Sequence, residues 1–252
     1  IPTINIVKVP QISDAFQEEL NQNPLLKQSF EEQVIMGGGY TFILNTQPTG
    51  FHTFDHYLRS SIEINLPFSD FVRLDADYRS YINFNRKNVL VSRAAFGIAS
   101  PYTFVKDTAS AFYTEVIPYV KQFFTGGAYS VRAFTVRKIG PGAYVNYDTT
   151  TFLRVDQVAD LKLEFNLEYR FDIISILEGA VFCDFGNTFT LKVDPFRPHS
   201  RFRFDNFYQL LAVGPGAGLR LNFGYFILRV DAAYPLYDPA LDGPYKQEIL
   251  DY

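Results

Sequence analysis

Tryptophan is missing from this 252-residue sequence altogether, and cysteine and methionine occur once each. A single cysteine, Cys183, cannot close an internal disulfide, so a disulfide framework is excluded and the redox compartment stays open. Positive charge is not in excess either: the net charge is -4 and no basic stripe runs along any segment, which argues against a nucleic-acid partner. Long apolar runs are also lacking. The longest stretch without Asp, Glu, Lys or Arg, Gln33 to Phe54, is broken by Gly37 to Gly39 and by Gln47-Pro48-Thr49-Gly50, so it is no spanning helix. The chain opens Ile1-Pro2-Thr3, with neither an initiating Met nor a basic start followed by an apolar core, and reads as a piece of something longer.

Several kinds of chemistry are missing as well. His52, His56 and His199 have no ligand spacing and lie near turns, which makes them surface histidines and not a metal site. The glycine-rich Gly214 to Gly218 runs into a strand and lacks the helix N-terminus that a phosphate loop requires. No nucleophile elbow with Ser, His and Asp partners is present. The expectation is a protein that is not an enzyme and needs no cofactor.

What the sequence has in abundance is phenylalanine and tyrosine, 26 and 17, within an apolar content of 47% that rules out disorder. These residues are arranged in alternation. In DLKLEFNLEYRF one face carries Leu161, Leu163, Phe165, Leu167, Tyr169 and Phe171, and the other Lys162, Glu164, Asn166, Glu168 and Arg170. FVRLDADYRSYI sets Val72, Leu74, Ala76, Tyr78 and Ile82 against Phe71, Arg73, Asp75, Asp77, Arg79 and Tyr81. HYLRSSIEINL, AGLRLNFGY and FILRVDAAYPL repeat the plan, with one unbroken apolar face and one polar face holding both signs of charge.

Two surroundings fit such strands. In a soluble antiparallel sandwich the apolar faces meet in a core; in an outer-membrane barrel they meet lipid while the charged faces line a wet lumen. Strand length and the Tyr or Phe at many strand ends favour the barrel. The periodicity predicts strands near 33–46, 55–67, 70–84, 88–100, 160–174, 176–189, 209–223 and 225–237. Residues 1–32 read as a strand end, a large extracellular loop and one helical turn, and no linker divides 1–252 into domains.

Between residues 101 and 159 lies an excursion too long to be a plain connection, and it is neither low in complexity nor strongly charged. Within it, GGAYSVRAF is odd because an arginine, Arg132, is wedged between Val131, Ala133 and Phe134. GGAYSVRAF followed by IGPG resembles the signature loop of the BamA/TamA superfamily of outer-membrane assembly barrels, also described as bacterial surface antigens. LKLEFNLEYRF, GAVFCDFGNTF and GPGAGLRLNFGYFILRVDAAYPL resemble the strands that follow, so the likeness covers Gln122 to Pro239. Ala133 and Ala159 stand where many members carry Gly.

The resemblance implies a sixteen-stranded antiparallel transmembrane β-barrel of which this chain is about eight strands, its C-terminal half. It implies that the long loop folds into the lumen through Gly126, Gly127, Ser130, Val131, Arg132, Ala133, Phe134, Ile139, Gly140, Pro141 and Gly142. Arg132 would reach the acidic Glu168 and Asp184 on the wall, and both lie on the polar face of their strands. The implied function is insertion or translocation of β-barrel or surface proteins in the outer membrane of a Gram-negative bacterium. Partners would be outer-membrane lipid, client proteins, and periplasmic or lipoprotein subunits met through N-terminal domains outside this sequence. A two-partner-secretion transporter exporting one passenger, or a patatin-linked or passive porin-like barrel, are the alternatives.

Overall fold

The computed structural model describes residues 2–8, 13–22, 27, 32–47, 52–65, 71–102, 117–144, 157–174 and 176–246. Among the described residues, nine antiparallel strands follow one another in a single sheet with no crossovers: β1 (Pro2–Val7), β2 (Gln33–Asn45), β3 (Phe54–Asn65), β4 (Phe71–Asn85), β5 (Asn88–Pro101), β6 (Leu161–Ile174), β7 (Leu177–Phe189), β8 (Ala212–Asn222) and β9 (Ile227–Ala233). β1 and β9 are not paired with each other, so the sheet is open in this chain. Helix α1 (Asp14–Gln22) lies between β1 and β2.

The reading of about eight strands agrees with the sheet, which has nine among the described residues because the N-terminal strand end pairs as well. The strand end at the N-terminus is a six-residue edge strand, pairing Pro2 with Gly38 through Val7 with Gln33. Its alternation of Thr3 and Asn5 with Ile4 and Ile6 is too brief to stand out. The single helical turn is a nine-residue helix. β8 starts at Ala212 and not at 209, because Phe207–Leu210 coil into a 3-10 turn. β9 ends at Ala233, two residues before Pro235, whose missing N–H cannot continue a ladder.

Register places the charged faces in continuous rows. Arg79 of β4, Arg93 of β5, Asn166 of β6, Asp184 of β7 and Gly214 of β8 lie side by side, as do Tyr81, Val91, Glu168, Phe182 and Gly216. Burial then distinguishes the two surroundings that alternation left open. Glu164, Glu168, Asp184 and Arg220 are buried on one face, while Ile64, Phe165, Val181, Leu219 and Val230 are exposed on the other. Covered charge and open apolar surface invert the plan of a water-soluble sandwich and match a barrel wall that faces lipid outside.

Connections differ in length at the two ends of the sheet. Segments 8–32, 102–160 and 190–211 leave from one end, with the short 66–70; segments 46–53, 86–87, 175–176 and 223–226 turn at the other. At the short-turn end, β4 reverses into β5 through Arg86 and Lys87, and the Lys87 N–H donates to the Asn85 side chain at 2.8 Å. Of the long excursion, the described part 117–144 folds back over the charged face and supplies the cover. Phe123 bridges to Ala159 and Thr125 to Ile139. Ile117 and Phe123 pack with Ile35, Phe71 and Ala99, while Ala143 packs with Leu161, Phe189 and Leu210.

Candidate functional site

The loop is shaped before it is docked. Gly126 and Gly127 have φ of 100° and 95°, a region that side chains disfavour, and a Cβ on Gly126 would collide with the Thr135 carbonyl. The Gly126 N–H donates to Ser130 Oγ at 2.9 Å, Ser130 N–H to the Gly127 carbonyl at 3.1 Å, and Phe134 N–H to the Val131 carbonyl at 3.1 Å. These consecutive turns point Val131 and Phe134 toward Ile139 and Ala212, an apolar cluster against which Ala133 also packs. The clasp around Arg132 noticed in the sequence is this cluster.

Arg132 itself points past it to the sheet. Its Nε and Nη2 donate to the two oxygens of Asp184 at 2.7 and 2.8 Å, a bidentate fork, and its backbone N–H donates to Asp184 at 3.1 Å. Nη1 donates to Glu168 at 2.7 Å and to Asp231 of β9 at 3.3 Å. The guanidinium lies 3.3 Å above the centroid of the Phe182 ring, a stacked cation–π contact. The Asp184 side chain is fully buried, and those of Arg132 and Glu168 are each 8% exposed. Burial opposes charge on Arg132, but its hydrogen bonds to Asp184 and then Glu168 outweigh it and raise the guanidinium's pKa above the usual value.

Around this fork lies a wider network. Asn166 donates to Asp184 and to the Ser130 carbonyl, both at 2.8 Å. Glu168 also accepts from Arg170 at 2.6 Å and from Arg220. Arg229 donates to Asp231 at 2.7 Å. Ser130 Oγ donates to Glu164, and Arg93 donates to Asp77 at 2.7 Å, Asn166 at 2.9 Å, Glu164 at 3.1 Å and the Tyr129 carbonyl at 3.2 Å.

The wall is thin where the loop lies against it. A Cβ on Gly216 would strike the Phe182 ring beneath Arg132, and one on Gly214 would strike Ala133. The IGPG end docks separately. Gly142 N–H donates to the Thr188 carbonyl at 2.7 Å and its carbonyl accepts from Asn187 Nδ2 at 2.8 Å. Gly140, with φ of 78°, presses on Asn187 and Thr188, and Pro141 follows it through a cis bond, buried. A third attachment joins Lys121 to Glu63 of β3 at 2.5 Å.

This geometry, a glycine-turned loop forked onto the charged face of an antiparallel sheet, sits within a sequence match. Residues 47–248 match the Omp85 superfamily domain. The chain belongs to the Omp85 superfamily. Barrels of this superfamily reside in the outer membrane and serve protein insertion or translocation. Among solved structures, this Omp85 chain resembles the crystal structure of BamA from Haemophilus ducreyi lacking POTRA domains 1-3, with a TM-score of 0.65 and 16% identity over 96% of this chain. It spans about half of that protein's chain, 48%. At that identity the likeness carries the fold alone. A comparison with curated proteins returned no match.

The Omp85 sheet brings together all three charged residues singled out in the sequence, Arg132, Glu168 and Asp184. It adds Asp231, Asn166, Arg93, Arg220 and the Phe182 ring. Alternation already placed Phe182 and Asp184 on one face, and two-residue spacing put Phe182 beside the fork. Alternation also put Asp231 on the polar face of its strand, but its proximity to Arg132 depends on β9 pairing with β8 in the register Gly218 to Asp231. Histidines lie elsewhere: His56 meets the Tyr78 hydroxyl at 2.9 Å, His52 lies 3.6 Å from Asp55, and His199 stacks on Tyr245.

Proposed function

We propose that the complete protein is a non-enzymatic outer-membrane factor of a Gram-negative bacterium that inserts or translocates β-barrel or surface proteins. The observation that carries this reading is the motif loop held on the inner face by Arg132, within a stretch that matches the Omp85 superfamily domain. Superfamily membership and the apolar outer face support it. The sheet binds outer-membrane lipid through that face, and client strands add by backbone pairing at an exposed edge, as an unpaired ladder invites. Periplasmic or lipoprotein subunits engage N-terminal domains outside this sequence. No cofactor and no nucleic acid takes part.

Depletion of the complete protein in its host is the test. Many outer-membrane barrels should fall in abundance together while their unassembled precursors collect in the periplasm. Loss of one exported passenger alone, or an unchanged outer-membrane proteome, would overturn the reading.

A further inference from the structure

Away from the clasp, at the end of the sheet with the long connections, segment 190–211 and the chain after β9 enclose a cavity of about 460 Å³. Three chemistries meet on its wall. Arg201 is exposed and, among the described residues, its side chain makes no ion pair or hydrogen bond. Its neighbour Arg203 is exposed too and shares its guanidinium with Asp205 at 2.9 Å. The rings of His199 and Tyr245 stack with centroids 4.1 Å apart and planes 18° from parallel, giving a flat aromatic surface. Asn206 donates from Nδ2 to the Tyr245 hydroxyl at 2.8 Å, and its Oδ1 is buried with no donor to accept from among the described residues.

Each of these asks something different of a ligand. An unpartnered arginine calls for an anion, and phosphate matches its fork. A buried carbonyl oxygen left without a donor calls for an O–H or N–H. Inorganic phosphate would answer Arg201, yet it is small for the cavity and offers no apolar face to the rings. A neutral sugar would answer Asn206 and the rings and leave the cation unmatched. We propose that this cavity binds a phosphorylated sugar, with the phosphate on Arg201, a hydroxyl donating to Asn206 Oδ1 and a ring face against the His199 and Tyr245 pair. Val193, Phe204 and Tyr208, on the same segment, are 70%, 85% and 60% exposed. Apolar side chains held open at the rim of a barrel suit a membrane interface, so the favoured source is the headgroup of an outer-leaflet glycolipid. The lipid source rests on the outer-membrane reading above; the sugar phosphate site does not.

The test uses the complete protein. In detergent, calorimetric titration with glucose 1-phosphate should show saturable binding, with glucose and inorganic phosphate each about tenfold weaker or more. Arg201→Ala should weaken glucose 1-phosphate by about tenfold, Arg201→Lys by less, and Tyr245→Ala should also weaken it. In nanodiscs, a glycolipid with a phosphorylated sugar headgroup should slow hydrogen exchange in segment 190–211 relative to phosphatidylethanolamine alone, and Arg201→Ala should abolish that protection. Arg201-dependent binding of glucose 1-phosphate without glycolipid protection keeps the site and assigns it a soluble ligand. The proposal is overturned if neither probe gives an Arg201-dependent signal, or if inorganic phosphate binds as tightly as glucose 1-phosphate.

Discussion

Replacing Arg132 by alanine removes four side-chain hydrogen bonds and the stack on Phe182, but the losses fall unevenly. Glu168 keeps Arg170 and Arg220, and Asp231 keeps Arg229. Among the described residues Asp184 keeps only two uncharged donors, the backbone N–H of residue 132 and Asn166, and its side chain has no exposure to water. The cost therefore concentrates on one stranded carboxylate. Removing one member of a buried pair costs about 3 to 5 kcal/mol, and the two remaining donors put this case near the lower end, about 3 kcal/mol. That corresponds to about a 150-fold rise in the equilibrium for loop undocking. Hydrogen exchange of the amides from Gly126 to Gly142, in the complete protein in detergent, reads this directly. If Asp184 is the seat of the penalty, Asp184→Asn on the Arg132→Ala background should recover part of the protection, giving a coupling of at least about 1 kcal/mol. Arg132→Lys keeps the charge but not the fork, and should fall between wild type and alanine. Unchanged exchange in Arg132→Ala, together with strict additivity between positions 132 and 184, would refute the argument.

The remaining predictions test the wall and the edges. Gly216→Ala should push Phe182 out from under Arg132 and destabilise loop docking by about 1 to 3 kcal/mol, seen as faster proteolysis within 126–142. Leu219→Arg or Val230→Arg, both on the exposed apolar face, should each lower stability in a bilayer by about 2 to 4 kcal/mol at mid-depth, whereas Arg170→Gln on the inner face should cost less; equal costs would mean that the outer face does not meet lipid. Arg137→Ala, whose guanidinium lies 4.9 Å and 5.0 Å from the rings of Tyr119 and Phe124 and reaches no carboxylate among the described residues, should loosen the loop by no more than about 1 kcal/mol by the same exchange assay. The 252 residues refolded alone should give aggregates or mixed species in detergent, since the outer edges of β1 and β9 are open; a protease-resistant monomer would contradict this.

Most of the sheet was legible because side-chain alternation is a local property. β6 and β7 run Leu161–Ile174 and Leu177–Phe189, within a residue of the ranges read from LKLEFNLEYRF and GAVFCDFGNTF. The elements that escaped were those settled by tertiary contact. Phe207 to Leu210 have an apolar, strand-like composition, yet they coil because Leu210 and Phe207 join the cluster of Ala143 and Phe189. At the clasp, Arg132, Glu168 and Asp184 could be paired from the resemblance, while composition and periodicity placed only Glu168 and Asp184 on polar faces. Ser130 with Glu164, Asn166 under the loop and Asp231 across β9 needed the register, which no single strand encodes. Segments 103–116 and 145–156 of the long excursion lie outside the described residues.

The docked segment also has a mechanical consequence. Ladder bonds tie each strand to the next, but the segment lies across them: Ile117 and Phe123 join the buried cluster that includes Ile35 of β2, Lys121 grips Glu63 of β3, and Arg132 grips Asp184 of β7 and Asp231 of β9. It acts as a crossbeam spanning β2 to β9. Any force that spreads two neighbouring strands within that span must also stretch the beam, so the load is shared and the span stiffens as a plate. Compliance is left to the margins of the sheet, where β1 meets β2 through six residue pairs and where β9 ends. Cutting the beam at Arg132 would thus soften the middle of the wall before it changed any strand's own hydrogen bonds.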